Sequence, residues 1–161
     1  MDKSLEVTLG EKLRARGLRL AVAESCTGGL IGHRVTNVAG SSTYYVGSVT
    51  AYAYEAKVRL LGVTWENLEK HGAVSAETVA ERARGIRRAL AADVGIAVSG
   101  IAGPGGGMPG KPVGLVWIAV SAKDDLLTRQ FNFKGERISV KEQAAEEALR
   151  LGIEYLDKKL K

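Results

Sequence analysis

The sequence predicts an α/β protein, a three-layer α/β/α sandwich around a mixed sheet of about five strands. Three observations predict it. Segments with helical apolar spacing alternate along the chain with short runs that read as buried strands. Two of those runs, residues 18–23 and 94–99, are apolar almost throughout, as strands covered on both faces are. Residues 114–122 and 126–133 read as adjacent strands joined by a turn at Lys123-Asp124-Asp125, so one hairpin makes the sheet mixed rather than wholly parallel.

The elements follow in order. Leu5, Leu9 and Leu13 recur every four residues, which predicts a helix over 4–16. Lys12, Arg14 and Arg16 suit the negative end of its dipole, and Gly17 stops it. After the 18–23 strand, Ser25-Cys26-Thr27 leads into a helix carrying Leu30, Ile31 and Val35, and Gly40-Ser41-Ser42 makes a turn. Residues 44–52 are rich in Tyr, Val and Thr and read as a strand. Residues 55–61 form a short helix ended by Gly62. Thr64 is placed to cap a helix over 65–70, and Ser75 to cap a longer one reaching about Leu90. Residues 100–112 are a Gly/Pro loop. The last helix is predicted over 138–158, with Ala144, Ala145, Ala148, Leu149, Leu151 and Leu156 as its apolar positions.

Size and composition bound the rest. At 161 residues the chain is expected to form one domain, residues 1–161, with a core that needs no disulfide or structural metal. One cysteine, Cys26, rules out an internal disulfide, and the N-terminus lacks the apolar run of a signal peptide. The longest unbroken apolar run, residues 115–120, is far too short to span a bilayer. A cytoplasmic location and no membrane partner are expected. The net charge of +5 raises the possibility of nucleic acid. The basic residues are dispersed, however, and no aromatic residues interleave with them as in a stacking platform, so nucleic acid is not expected as the primary partner.

Three segments could carry chemistry. The first is Ala23-Glu24-Ser25-Cys26-Thr27-Gly28-Gly29, where a strand runs into a helix. Unpaired N–H groups and the dipole favour negative charge there, and glycines leave the backbone open to a ligand. The arrangement resembles the logic of a nucleophile elbow, although Gly-x-Ser-x-Gly is absent. The alternative is that Ser25 or Thr27 simply caps the helix. Cys26 is a rival nucleophile or, more often for a lone cysteine beside an apolar strand, an inert packed residue.

The second segment spans residues 99–112. Gly105 and Gly110-Lys111 match the phosphate-binding loop of nucleotide hydrolases up to its last position, where Pro112 stands in place of Ser or Thr. A strand follows instead of a helix, so that reading is rejected. The glycines could instead wrap a phosphate with backbone N–H groups, or the loop could be a plain connection. The third segment is Tyr52-Ala53-Tyr54-Glu55-Ala56-Lys57. Nothing local distinguishes Lys57 from a solvated helical lysine. His33 and His71 have no companions at metal-ligand spacing, so no metal site is expected.

Read together, these segments resemble one family. They are the 23–29 run, Ala39-Gly40-Ser41-Ser42, Ala51-Tyr52 with Tyr54-Glu55-Ala56-Lys57, Leu61-Gly62-Val63, His71-Gly72-Ala73-Val74-Ser75, Ser99-Gly100-Ile101-Ala102-Gly103-Pro104 and Lys111-Pro112-Val113-Gly114. Nearly the whole chain, in this order, resembles the C-terminal domain of the competence/damage-inducible CinA proteins, a family whose stand-alone members are nicotinamide-nucleotide amidohydrolases. The resemblance implies a mixed five-stranded sheet between helices. It implies an amidase that converts nicotinamide mononucleotide to nicotinate mononucleotide and ammonia without metal or other cofactor. Its nucleophilic serine falls on Ser25, its catalytic lysine on Lys57 and its assisting tyrosine on Tyr52. It also implies self-association, with a dimer the expected form. Larger family members add an N-terminal nucleotide-hydrolysing domain, for which this chain has no room. One departure is Tyr54, where the family commonly has Asn; it is expected to alter the pocket wall and hence the substrate range.

The expected mechanism has neutral Lys57 accept the Ser25 proton, with the backbone N–H groups of Thr27, Gly28 and Gly29 holding the oxyanion. The loop glycines, Gly100 and Gly103 among them, and Lys111 are expected to hold the nucleotide phosphate. A lysine base must be drawn from about 10.4 to about 7–8, which burial or a nearby cation must supply. An exposed Lys57, or one out of reach of Ser25, contradicts the assignment. Two further functions compete. One is a nucleotide-binding domain without turnover, motivated by Tyr54. The other is a DNA-associated competence factor, motivated by a pI of about 9.4.

Overall fold

In the computed structural model the described residues are 2–159. Helix α1 (Leu5–Arg16) leads into strand β1 (Leu20–Glu24), α2 (Leu30–Thr36) and β2 (Tyr45–Thr50). Helices α3 (Tyr54–Leu61), α4 (Trp65–His71) and α5 (Ala76–Leu90) then precede β3 (Val94–Gly100). The hairpin β4 (Leu115–Ala122) and β5 (Asp125–Asn132) and the long helix α6 (Arg137–Lys159) complete the order. The five strands form one sheet in the order β2-β1-β3-β4-β5. β1 runs parallel to both β2 and β3, and β4 is antiparallel to β3 and β5. The α/β fold and mixed sheet are as the sequence predicts, with element bounds moved by a residue or two.

Alternation within the strands builds two cores. Leu20, Val22, Val94, Ile96, Val98, Val116, Ile118 and Val120 point to one face, where they meet Leu9 and Leu13 of α1, Ile31 and Val35 of α2, and Ala148 and Leu149 of α6. Ala21, Ala23, Ala97 and Ala119 point to the other, against Val79, Ala83 and Ile86 of α5 and Leu61 and Leu68 of α3 and α4. The small residues on this second face let α5 lie close to the sheet. A Cβ placed on Gly95 would come within 2.3 Å of the Ala83 carbonyl oxygen.

The chain passes from β1 to β2 through α2 on one face, and from β2 to β3 through α5 on the other. At their carboxyl ends β1 leads towards β2 and β3 leads towards β4, so the outgoing connections diverge between β1 and β3. In open α/β sheets that divide, at the carboxyl ends of the strands, is where ligands bind.

Gly85 fixes how closely α3 meets α5, because a Cβ there would lie 1.8 Å from the Leu61 carbonyl oxygen. Gly85→Ala is therefore expected to destabilise the fold by at least about 2 kcal/mol through overpacking. Urea denaturation measures this, and an unchanged midpoint contradicts the packing described.

Candidate active site

Strand β1 ends at Glu24, and residues 25–29 make a turn before α2 begins. Neither Ser25 nor Thr27 caps that helix. The buried Glu24 carboxylate does so instead. Its Oε1 accepts from the Thr27 hydroxyl at 2.7 Å, the Gly29 N–H at 3.1 Å and the Ile31 N–H at 3.0 Å. Its Oε2 accepts from the Gly32 N–H at 3.0 Å. A carboxylate at a helix N-terminus satisfies orphan donors and favours the dipole. The capping duty is thus lifted from Ser25, whose side chain faces a pocket.

Lys57 comes to that pocket from α3. It is 1% exposed, and its Nζ lies 3.5 Å from Ser25 Oγ. The same nitrogen donates to the Ala51 carbonyl at 2.9 Å and the Tyr52 carbonyl at 2.7 Å. A neutral amine has two N–H groups and one lone pair. With both N–H groups given to carbonyls, the lone pair is left for the Ser25 hydroxyl. Burial, and then the positive charge of Arg82, draw the Lys57 pKa down to about 8. Burial pushes the Cys26 thiol up to about 11, which leaves it a packed thiol rather than a thiolate nucleophile.

The pocket has a volume of about 190 Å³. Ser25, Tyr52, Tyr54, Lys57, Ser99, Gly100 and Arg137 are among its lining residues, drawn from the carboxyl ends of β1, β2 and β3, from α3 and from the start of α6. Ser99 is fixed by donating its hydroxyl to the Ala73 carbonyl at 2.7 Å. Tyr54 is partly exposed and tilts against Trp65 with ring centroids 6.4 Å apart. It therefore stands at the pocket wall. No three His, Cys, Asp or Glu side chains cluster as metal ligands among the described residues. Among those residues no helix is long and apolar enough to cross a membrane.

Of the other expected site residues, Tyr52 lines the same pocket as Ser25 and Lys57. Tyr52 is 63% exposed, and its hydroxyl accepts from Arg137 Nη2 at 3.3 Å. Its link to Lys57 is the backbone carbonyl, not the phenol. Of the expected oxyanion donors, the Gly28 N–H is taken by the Ser25 carbonyl at 3.0 Å and the Gly29 N–H by Glu24. Only the Thr27 N–H of that trio has no acceptor among the described residues. Lys111 does not line the Ser25 pocket. The Met108–Lys111 turn carries it to a separate groove, where its Nζ donates to the His71 carbonyl. Arg137 is the cation at the pocket instead, held by its Nη1 donating to the Gly103 carbonyl at 2.7 Å. Gly103 thus serves as an acceptor for the arginine. Sequence reasoning missed Arg137 because no local pattern links it to Ser25, and it missed the cap although Glu24 stands beside Ser25.

These features define an α/β/α sandwich with a buried serine–lysine pair in a pocket at the carboxyl ends of its parallel strands. Residues 2–156 match the CinA C-terminal domain, and the chain belongs to that family. It is 49% identical over 148 residues to a CinA-like protein of Salinibacter ruber, covering 92% of this chain and 36% of that one. Among solved structures it is similar to the competence damage-inducible protein A of Klebsiella pneumoniae, with a TM-score of 0.93, 38% identity and 96% of each chain covered. It is also similar to the competence/damage inducible protein CihA of Agrobacterium tumefaciens, with a TM-score of 0.90, 34% identity, and 98% of this chain and 100% of that one covered. The chain spans little more than a third of the length of the curated relatives it matches.

Both oxygens of Glu24 receive backbone N–H groups, so an amide there must turn its own NH2 against a donor. Glu24→Gln is expected to destabilise the fold by about 2 kcal/mol, read by urea denaturation. Wild-type stability in that variant contradicts the capping role.

Proposed function

We propose that this chain is an amidohydrolase that converts nicotinamide mononucleotide to nicotinate mononucleotide and ammonia, with Ser25 as nucleophile and Lys57 as base. The observation that carries this reading is the buried Lys57 nitrogen, 3.5 Å from Ser25 Oγ, with its pKa drawn down to about 8. A base with a pKa near the working pH is the chemical requirement of a serine activated by lysine. Membership of the CinA C-terminal domain family supports it further.

In the proposed reaction Ser25 Oγ attacks the carboxamide carbon as Lys57 Nζ accepts the hydroxyl proton. The tetrahedral oxyanion is met by the Thr27 N–H. Lys57 returns the proton to the departing nitrogen, which leaves as ammonia. Water, deprotonated by the same amine, then attacks the ester on Ser25 and releases the carboxylate product. Arg137 is the proposed partner of the nucleotide phosphate, since a guanidinium at the pocket presents a fork of donors to such a group. The proposed reaction uses no metal, and the proposed setting is cytoplasmic. The family's self-association extends to this chain as a proposed dimer.

Purified protein incubated with nicotinamide mononucleotide, without added metal, is expected to release ammonia and nicotinate mononucleotide, and Ser25→Ala is not. Absence of turnover by wild type contradicts the proposal. Only neutral Lys57 accepts a proton, so kcat/KM is expected to rise with pH and level off above about 8. A profile flat between pH 6 and pH 9 removes Lys57 as the base. Arg137→Ala is expected to raise KM about tenfold for the nucleotide and to leave KM for the unphosphorylated nucleoside unchanged, in keeping with the loss of one charge-assisted contact. Equal effects on both substrates contradict the phosphate assignment.

A further inference from the structure

We propose that Arg82 is a positioning residue for the Ser25–Lys57 pair: its buried guanidinium ties the ends of β1 and β3 together beneath the pocket and holds Lys57 in its neutral, proton-accepting form. The inference rests on the amidohydrolase reading and names a residue that the proposed chemistry leaves unused. Arg82 projects from α5 and is wholly buried. Its Nη2 donates to the Glu24 carbonyl at 2.8 Å, and its Nη1 donates to the Val98 carbonyl. Those carbonyls belong to the residues just before Ser25 and Ser99, both of which line the pocket.

Both terminal nitrogens of Arg82 are therefore given to neutral acceptors. The Glu24 carboxylate is turned the other way, with both oxygens taken by Thr27 and the α2 amides. The groups that face Lys57 are Arg82 from α5 and Cys26 from the turn after β1, with Arg137 from α6 and the phenols of Tyr52 and Tyr54 around the same pocket. The Cys26 thiol and the more distant charge of the Glu24 carboxylate also act on Arg82, without a direct hydrogen bond from its guanidinium to either. Two buried cations with no carboxylate between them cannot both keep their protons cheaply. A guanidinium keeps its proton inside proteins whereas a buried lysine amine readily gives its up, so it is Lys57 that becomes neutral. A neutral donor in place of Arg82 could hold the strand ends, but it could not act on the charge of Lys57.

The test uses the full chain labelled with 13C at lysine Cε, so that the Lys57 signal reports its protonation directly. Wild type and Arg82→Lys are expected to titrate near 8. Arg82→Gln keeps a hydrogen-bond donor without the charge, and there Lys57 is expected to titrate about one unit higher. Its kcat/KM for nicotinamide mononucleotide is expected to fall about tenfold at pH 7 and to recover at high pH. An unshifted Lys57 signal in Arg82→Gln, or a loss of activity equal at every pH, overturns the proposal. Arg82→Met, checked for folding by circular dichroism, repeats the titration should Gln disturb the strand ends. The carbon signal needs no turnover. A wild type that fails to hydrolyse the nucleotide thus overturns the amidohydrolase reading, while the titration still decides the role of Arg82.

Discussion

A lysine nitrogen taken out of water has to find acceptors within the fold, and Lys57 finds them in the carbonyls of Ala51 and Tyr52. Those carbonyls lie where the chain leaves β2 for α3, so the path of the backbone through this corner sets the direction of the amine. The third direction at the nitrogen points to Ser25. The pocket, the turn after β1 and the first turn of α3 are all arranged around this contact. Without the two carbonyls a buried amine would lack partners, and without burial its pKa would stay in the ordinary lysine range.

The second constraint is the turn between β1 and α2. Strands and helices in this sandwich meet at β1's carboxyl end, where a helix N-terminus would otherwise present bare N–H groups to the core. Glu24 closes it from the β1 side, and Thr27 reinforces the carboxylate with its hydroxyl. The consequence reaches the site. A serine next to a helix start is normally a cap, and here it is released from that role by its neighbour. Local structure, electrostatics and function are joined through one carboxylate.

Much of this was legible in the sequence. Thr64 and Ser75 accept from the N–H groups of Asn67 and Thr78, as their positions before helical patterns predict. Gly17 and Gly62 end α1 and α3 in the left-handed region, where a residue without Cβ is at no disadvantage. The alternation in β1 and β3 marks which residues feed each core. The association of Ser25 with Lys57 was not legible from spacing, because a helix and a turn from different crossovers bring them together. It came from the family resemblance. The place of Lys111 in a neighbouring groove was not legible, because glycine content alone does not tell which way a loop turns. Arg137 and Arg82 were invisible for the same reason that Lys57 was: each looks like a solvated helical cation until the sheet puts it in a core or a pocket.

The central claim is that Ser25 becomes acylated during turnover. Rapid mixing of the protein with nicotinamide mononucleotide, an acid quench and mass spectrometry of the peptides test it directly. The account predicts a transient ester on the peptide that contains Ser25, with the mass of the nucleotide less ammonia, and its loss as product accumulates. Product formation with no adduct at any time, or an adduct on Cys26, would contradict it.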